Sequence, residues 1–122
     1  MATILYVEDN SDNRLLIRRV LQAEGYNVLE AANAAQSILQ VQREAIDLIL
    51  MDINLPEVDG YTLTTRLKAI PALRRVQVIA LTANVMKGDR ERTLEAGCDG
   101  YIQKPIDIDK IPQQIKYFLG EA

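Results

Sequence analysis

Short apolar runs alternate with longer amphipathic segments along this chain, and the alternation occurs five times. The apolar runs comprise residues 4–7, 28–29, 48–51, 76–81 and 101–102. The first, third and fourth are nearly continuous in apolar character, which is typical of strands that are covered on both faces of a parallel sheet. The pattern therefore predicts five strands separated by helices.

The segments between the runs place apolar side chains at helical spacing, which predicts amphipathic helices. Asn10 or Ser11 can cap the first helix, and Gly25 is suited to end it. The third helix ends at Pro71. The apolar stripes of the first, second, third and fifth helices are Leu16, Ile17, Val20 and Leu21; Ala34, Ile38, Val41 and Ala45; Leu63, Leu67 and Ile70; and Ile108, Ile111, Ile115 and Phe118.

The last two helices are less regular than the others. The fourth spans about residues 86–96, is strongly charged with a weak apolar stripe, and can end at Gly97. In the fifth, Pro112 belongs in the first turn, because a Pro deeper in a helix removes a hydrogen bond and clashes with the preceding turn. We therefore expect the fifth helix to start near residues 107–109.

This order of elements predicts an α/β fold. Right-handed crossovers between parallel strands place helices on both faces of the sheet. The prediction is a (βα)₅ doubly wound sheet of five parallel strands, with no internal repeat, low-complexity segment or linker. A length of 122 residues suits one domain. Since the fifth helix reaches almost to the end, we expect a single domain over residues 1–122 with no output domain.

Composition narrows the class of protein. The net charge of −3 argues against a general nucleic-acid binder, which usually carries a basic excess. Cys98 is the only Cys, so no internal disulfide can form, and we interpret it as a small, partly buried hydrophobe. The start lacks the features of a signal peptide, and no apolar run approaches the ~20 residues that span a bilayer. We expect a cytoplasmic protein that does not bind membranes.

The chain contains no His. A Ser-His-Asp triad, a Cys-His pair and a His-ligated zinc site are therefore excluded. Any chemistry must come from carboxylates, hydroxyls, amines and a metal ion.

Polar residues follow four of the predicted strands, at the edge of the sheet where ligands bind in open α/β folds. The strand ends read Glu8 and Asp9, Asp52, Thr82 and Ala83, and Lys104 and Pro105, and together they offer three carboxylates, one hydroxyl and one ammonium group. Three carboxylates near one point repel each other, and one ammonium group does not neutralise them. An all-oxygen cluster suits a hard divalent ion such as Mg²⁺. The alternative is that each acid caps a helix or faces water.

The motifs around these residues resemble those of response-regulator receiver domains, the CheY-like family with a flavodoxin-like fold. They read LILMDINLPEVDGY around Asp52, VIALTAN at the fourth strand and GCDGYIQKPID at the fifth. The resemblance covers essentially the whole chain. The stretch LTANVMKGDRERTLEAGCDGYIQKP looks most like single-domain regulators of the DivK type and like receivers fused to hybrid kinases.

The resemblance implies a phosphoryl acceptor and a metal site. Asp52 would accept the phosphoryl group, and a carboxylate is a competent nucleophile for that transfer. Asp9 and Asp52 would bind Mg²⁺ (Mn²⁺ is possible) directly, with Glu8 acting through water and Asn54 through its backbone carbonyl. Mg²⁺ usually keeps several waters, which fits this ligand set.

The resemblance also implies phosphate contacts and a switch. Lys104, the Thr82 hydroxyl and the Ala83 N–H would contact the phosphoryl oxygens. The Lys104–Pro105 peptide bond would be cis. Thr82 and Tyr101 would form the switch pair, although Tyr101 could also be an edge aromatic with no role. Residues 54 and 84, both Asn, occupy positions that tune dephosphorylation in the family.

The implied function is that of a two-component response regulator. The donor would be a histidine kinase or a histidine phosphotransfer protein. The output would be binding of a downstream protein, through the face of the fourth helix, fifth strand and fifth helix, with no direct nucleic-acid binding. The chain would catalyse its own phosphorylation and dephosphorylation only, so we do not expect an enzyme in the usual sense.

Four alternatives remain open from the sequence. An aspartate-nucleophile phosphatase of the haloacid dehalogenase type usually has a second acid where this chain has Asn54. In a flavodoxin-like FMN binder, Glu8 and Asp9 would repel the phosphate. A pseudo-receiver that acts only as an interaction module commonly loses the acceptor or the acidic pair. The chain could also be a receiver segment of a hybrid histidine kinase, although its start and compact end favour a whole protein.

Overall fold

The computed structural model of the chain describes residues 1–83 and 87–121, with the side chains of 87–89 left aside. Within these residues, five strands alternate with five α-helices. Their bounds are β1 Thr3–Val7, α1 Ser11–Ala23, β2 Asn27–Ala31, α2 Ala34–Arg43, β3 Leu48–Asp52, α3 Gly60–Lys68, β4 Gln77–Thr82, α4 Lys87–Glu95, β5 Gly100–Gln103 and α5 Ile111–Leu119.

The five strands form one parallel sheet in the order β2-β1-β3-β4-β5. The predicted (βα)₅ doubly wound fold is therefore confirmed. The chain moves outward in one direction from β1 to β2 and in the other from β3 to β5. The carboxyl ends of β1 and β3 consequently lie side by side where the strand order reverses, which is where open α/β sheets bind ligands.

Two hydrophobic layers cover the two faces of the sheet. Alternate residues of β1 divide between them: Leu5 and Val7 point to one layer, and Ile4 and Tyr6 point to the other. The first layer is closed by α2 and α3, and the second by α1 and α5. All five residues of β3, Leu48–Asp52, are buried. The near-continuous apolar runs thus reflect strands that are covered on both faces.

Side-chain caps fix the start of the helices at the carboxyl edge of the sheet. The Asn13 N–H donates to Asn10 Oδ1 over 2.9 Å, so Asn10, rather than Ser11, caps α1. The Thr62 N–H donates to Asp59 Oδ1 over 2.9 Å at the start of α3. Each contact satisfies an N–H group that has no partner inside the helix.

Several predicted boundaries and stripes were wrong. α5 starts at Ile111 and not near 107–109, because residues 107–110 form a turn in which the Asp107 side chain accepts from the Asp109 N–H over 2.9 Å. Pro112 does lie in the first turn of α5. Leu16, Ala45 and Ile108 were assigned to buried stripes, yet all three are exposed.

The ends of the third and fourth helices also differ from those predicted from the sequence. α3 ends at Lys68, and a short 3₁₀ helix, Pro71–Leu73, follows it, which the hydrophobic pattern did not predict. α4 covers Lys87–Glu95 of the expected 86–96, and residue 86 lies outside the described residues. No helix among the described residues is long and apolar enough to cross a membrane.

Gly60, the first residue of α3, lies against the end of β3. A Cβ on Gly60 would overlap the Asp52 carbonyl oxygen and come within 2.7 Å of Ile53 Cα. The Gly60 N–H donates to the Ile53 carbonyl oxygen over 3.0 Å. Since both neighbours are backbone atoms, they cannot move aside as a flexible side chain could. Glycine at this position therefore allows α3 to pack directly against the residues that present Asp52.

We predict that Gly60→Ala lowers the free energy of unfolding by about 3 kcal/mol, as overpacking against rigid neighbours does. Helix propensity alone would favour Ala by about 1 kcal/mol, so a loss must come from the contact. Gly120→Ala is the matched control: Gly120 has φ +73° and open space around its Cβ, so its cost is about 1 kcal/mol. Urea denaturation of both variants measures the difference. A Gly60→Ala variant as stable as the parent would contradict this packing.

Candidate functional site

Three carboxylates converge at the carboxyl edge of the sheet. Glu8 and Asp9 follow β1, Asp52 ends β3, and each offers an oxygen within 4.8 Å of the others. The convergence follows from the register, in which Val7 pairs with Met51. Glu8 and Asp52 are each 2% exposed, whereas Asp9 is exposed to solvent. Two buried acids and one exposed acid thus lie close together at the carboxyl edge of the sheet.

Lys104 brings a positive charge to this cluster. Its Nζ lies 2.6 Å from Asp52 Oδ1 and 3.9 Å from Glu8 Oε1. Lys104 follows β5, and β4 separates β5 from β3, so the side chain reaches across the end of β4. Its backbone N–H donates to the Thr82 carbonyl oxygen over 2.7 Å, and the Lys104–Pro105 peptide bond is cis.

The loop after β3 is held close to Asp52. The Asn54 N–H donates to Asp52 Oδ1 over 3.0 Å, and the Ile53 N–H donates to the Leu81 carbonyl oxygen over 3.2 Å. Asp52 Oδ1 therefore accepts from both a backbone N–H and an ammonium group. These donors fix the orientation of the carboxylate toward the cluster.

A cavity of about 430 Å³ opens beside the cluster, between α1 and the segment that follows β5. Glu8, Lys104 and Ala83 line one part of it, and Leu16 and Ile106 line another. The site is therefore accessible from solvent through a partly apolar opening.

The residues of the implied switch occupy different environments. Thr82, the last residue of β4, is 6% exposed. Tyr101 of β5 is 36% exposed, and the guanidinium carbon of Arg90 lies 5.6 Å from the centre of its ring. Asn84 lies outside the described residues.

The family of the chain follows from comparison with known proteins. The model of the response regulator receiver domain matches residues 4–116. The chain belongs to this family. The polar-differentiation response regulator DivK of Brucella anthropi is 42% identical to this receiver domain over 120 residues, and the match covers 98% of each chain.

Solved structures agree with this assignment. The receiver domain of the sensor histidine kinase PA1611 from Pseudomonas aeruginosa PAO1, solved with a magnesium ion coordinated in its active site cleft, is 39% identical, with a TM-score of 0.87 and 98% coverage of each chain. The chemotaxis protein CheY4 of Vibrio cholerae is 22% identical with a TM-score of 0.93, covering 97% of this chain and 98% of its own, which supports the fold.

The chemistry of the cluster suits a hard divalent cation in this receiver domain. Its donors are all carboxylate oxygens from Glu8, Asp9 and Asp52, at a separation that one ion can bridge. Lys104 leaves a net negative charge, because it is one ammonium group against three acids. The residues present therefore fit Mg²⁺.

Burial and hydrogen bonding move the pKa values of the two buried acids of this receiver domain in opposite directions. Burial, a hydrogen bond to Asp52 and the charge of Asp52 raise the pKa of Glu8 to about 7, and the charge of Lys104 opposes this shift. Burial also acts to raise the pKa of Asp52, but hydrogen bonds from Glu8, Lys104 and the Asn54 N–H outweigh it and lower the pKa. In the metal-free chain below about pH 7, Glu8 thus holds a proton that Asp52 does not.

Several residues that support Glu8 were not predicted from the sequence. Arg14 Nη1 donates to the Glu8 carbonyl oxygen over 2.6 Å, and the Asn13 amide and the Tyr6 hydroxyl contact Glu8 Oε1 at 3.5 and 3.4 Å. Burial and the nearby Glu8 carboxylate raise the pKa of Tyr6, so its hydroxyl remains a donor. The sequence shows only that Arg14 lies in the first turn of the predicted first helix. That position does not reveal what the Arg14 side chain contacts.

We predict that the metal-free receiver domain loses stability as the pH rises from about 4.5 to about 7. In this window the folded chain keeps the Glu8 proton, whereas the unfolded chain, with an ordinary pKa of 4.5, has released it. Glu8→Gln should remove this decline. The measurement is the free energy of unfolding in urea, with a chelator, at several pH values.

The matched control is Glu44→Gln, which makes the same change at an exposed residue after α2. The free energy of unfolding of this variant should change with pH in parallel with that of the parent. A Glu8→Gln profile that also runs parallel to the parent would show that Glu8 carries no shifted proton.

Proposed function

We propose that this receiver domain accepts a phosphoryl group on Asp52 from a phosphohistidine donor. An oxygen of the Asp52 carboxylate attacks the phosphorus, and the bond between phosphorus and the donor nitrogen breaks. The electron pair of that bond stays on the imidazole, and an acyl phosphate forms on Asp52. The observation that carries the proposal is the Asp52 carboxylate, whose pKa is lowered and whose Oδ1 accepts from the Asn54 N–H and from Lys104 Nζ. Its neighbours Glu8 and Lys104 line an open cavity.

The remaining residues of the site would stabilise the charge that develops during the transfer. Lys104 Nζ, at 2.6 Å from Asp52, is within reach of oxygens on a phosphoryl group bound there. The Thr82 hydroxyl and the Ala83 N–H would donate to the same oxygens. Their location beside Lys104 supports these roles: the Lys104 N–H bonds to Thr82, and Ala83 lines the cavity with Lys104.

Asp9 and Asp52 would hold Mg²⁺ directly, with Glu8 acting through water and Asn54 through its backbone carbonyl. The bound ion would neutralise negative charge on the phosphoryl oxygens and allow three acids to coexist with an incoming anion. The magnesium ion in the cleft of the PA1611 receiver, which is 39% identical, supports this choice of metal.

The donor and the target of the switch are separate molecules in this proposal. The 122 residues contain no His, so the phosphohistidine lies outside them, and we propose a histidine kinase or a histidine phosphotransfer protein as the donor. For the output we propose the face formed by α4, β5 and α5. Three apolar side chains on these elements, Leu94, Tyr101 and Tyr117, are exposed by 66%, 36% and 77%. Inward movement of Tyr101 toward Thr82 would change this face.

We class the protein as a switch, not as an enzyme with a separate substrate to turn over. The bond that forms and the bond that is later hydrolysed both lie on its own Asp52. Asn54, next to the acceptor, would influence the rate of that hydrolysis.

We predict that acetyl phosphate, a small phosphoryl donor, adds one phosphoryl group to the parent chain in the presence of Mg²⁺. The adduct should be absent without the metal and absent in Asp52→Ala. The metal is required because Lys104 alone does not neutralise the three carboxylates. The remaining negative charge of the cluster repels the anionic donor. Intact-mass spectrometry measures the adduct directly.

Asp47→Ala is the matched control. Asp47 immediately precedes β3 whereas Asp52 ends it, so the same substitution is made at the opposite end of one strand. This variant should be phosphorylated like the parent. A folded parent that takes up no phosphoryl group from any donor would contradict the proposal and favour a phosphorylation-independent interaction module.

A further inference from the structure

The backbone of Glu8 is held on both sides. Its N–H donates to the Ala31 carbonyl oxygen of β2 over 2.9 Å, and its carbonyl oxygen accepts from Arg14 Nη1 over 2.6 Å. The first contact continues the pairing of β1 with β2 beyond the last strand residue. The second comes from a side chain on the first turn of α1. Together they define where the chain leaves the sheet and presents the Glu8 and Asp9 carboxylates.

Arg14 is in turn held by Glu30 of β2. Arg14 Nε lies 3.6 Å from Glu30 Oε1, and Arg18 Nη1 lies 2.6 Å from Glu30 Oε2. The Gln40 amide of α2 donates to the Glu30 carbonyl oxygen over 3.1 Å. Arg14 is only 19% exposed. Its guanidinium group is therefore fixed between α1 and β2.

The Arg14 guanidinium contacts Glu30 and the backbone carbonyl of Glu8, and neither contact uses a carboxylate of the acidic cluster. An unpaired guanidinium beside Glu8 and Asp9 would form ion pairs with their carboxylates and compete with a cation for them. Here the ion pair is formed with Glu30, and the group donates to a neutral carbonyl oxygen of Glu8. Arg14 can thus orient the acidic pair without neutralising it.

We infer that Arg14, held by Glu30, is a positioning residue that sets the affinity of the Glu8–Asp9 pair for a divalent cation. The inference rests on the proposed function, since it presupposes the metal site. Some groups hydrogen-bond to a metal ligand and orient it without contacting the metal. Removal of such a group typically weakens metal binding by about 10–100-fold. Arg14 acts in this way through the backbone carbonyl of a ligand residue and not through the side chain of that residue.

The test is the dissociation constant of Mg²⁺, measured by isothermal titration calorimetry on the full chain at pH 8. Arg14→Met should raise the Kd roughly tenfold. Arg18→Met is the matched control, because Arg18 forms the shorter contact with Glu30 without contacting Glu8. It should change the Kd by less than about twofold. Arg14→Lys keeps the positive charge, but a single ammonium group cannot contact both Glu30 and the Glu8 carbonyl oxygen as the planar guanidinium does. The Kd of this variant should therefore rise about threefold.

A second measurement separates positioning from catalysis. The rate of phosphorylation by acetyl phosphate should need more Mg²⁺ for half-maximal rate in Arg14→Met, yet reach about the same rate at saturation. A lower saturating rate with an unchanged Mg²⁺ requirement would overturn the inference.

The outcomes distinguish this inference from the proposed function. If the parent binds Mg²⁺ and Arg14→Met binds it equally well, or if Arg14→Met and Arg18→Met weaken it equally, the positioning role is overturned and the metal site stands. A parent that binds no Mg²⁺ overturns both. If Arg14→Met does not fold, a Kd for Arg14→Lys equal to that of the parent overturns the inference.

Discussion

The structure depends on one electrostatic constraint: three carboxylates meet at the edge of a buried sheet and face one ammonium group. Glu8 and Asp52 are almost fully buried, and Lys104 contacts both. Burial and the neighbouring Asp52 raise the pKa of Glu8 to about 7, so below that pH the metal-free chain relieves the repulsion with a proton on Glu8. A divalent cation would relieve it by coordination instead. The site is thus arranged so that a cation replaces a proton, and Asp52 stays ionised in either state.

The rest of the fold supports this arrangement. The reversal of strand order brings the ends of β1 and β3 together, and all-parallel pairing brings Lys104 across β4 to the same edge. Gly60 lets α3 pack against the backbone of Asp52, and Arg14 fixes the turn at Glu8. Elements from both faces of the sheet therefore contribute to one small site.

The topology and the acidic cluster could be predicted from the sequence, because near-continuous apolar strands imply a parallel sheet and parallel strands end at one edge. What remained hidden depends on side-chain contacts between distant elements. The Arg14–Glu30 pair joins α1 to β2, and no periodicity reports it. The start of α5 was misplaced because the Asp107 side chain forms a local turn with the Asp109 N–H, which competes with the helix. The contact between Arg90 of α4 and the ring of Tyr101 is likewise not visible in the sequence pattern.

The most direct test of this account is the number of protons released when Mg²⁺ binds. Calorimetric titrations at pH 6.5 in two buffers of different ionisation enthalpy measure it. We expect release of most of one proton at pH 6.5, little release at pH 8.5 and none from Glu8→Gln, because the metal displaces the proton of Glu8, whose pKa is about 7. The chain has no His that could contribute. Binding of Mg²⁺ at pH 6.5 without proton release would contradict the exchange of cation for proton.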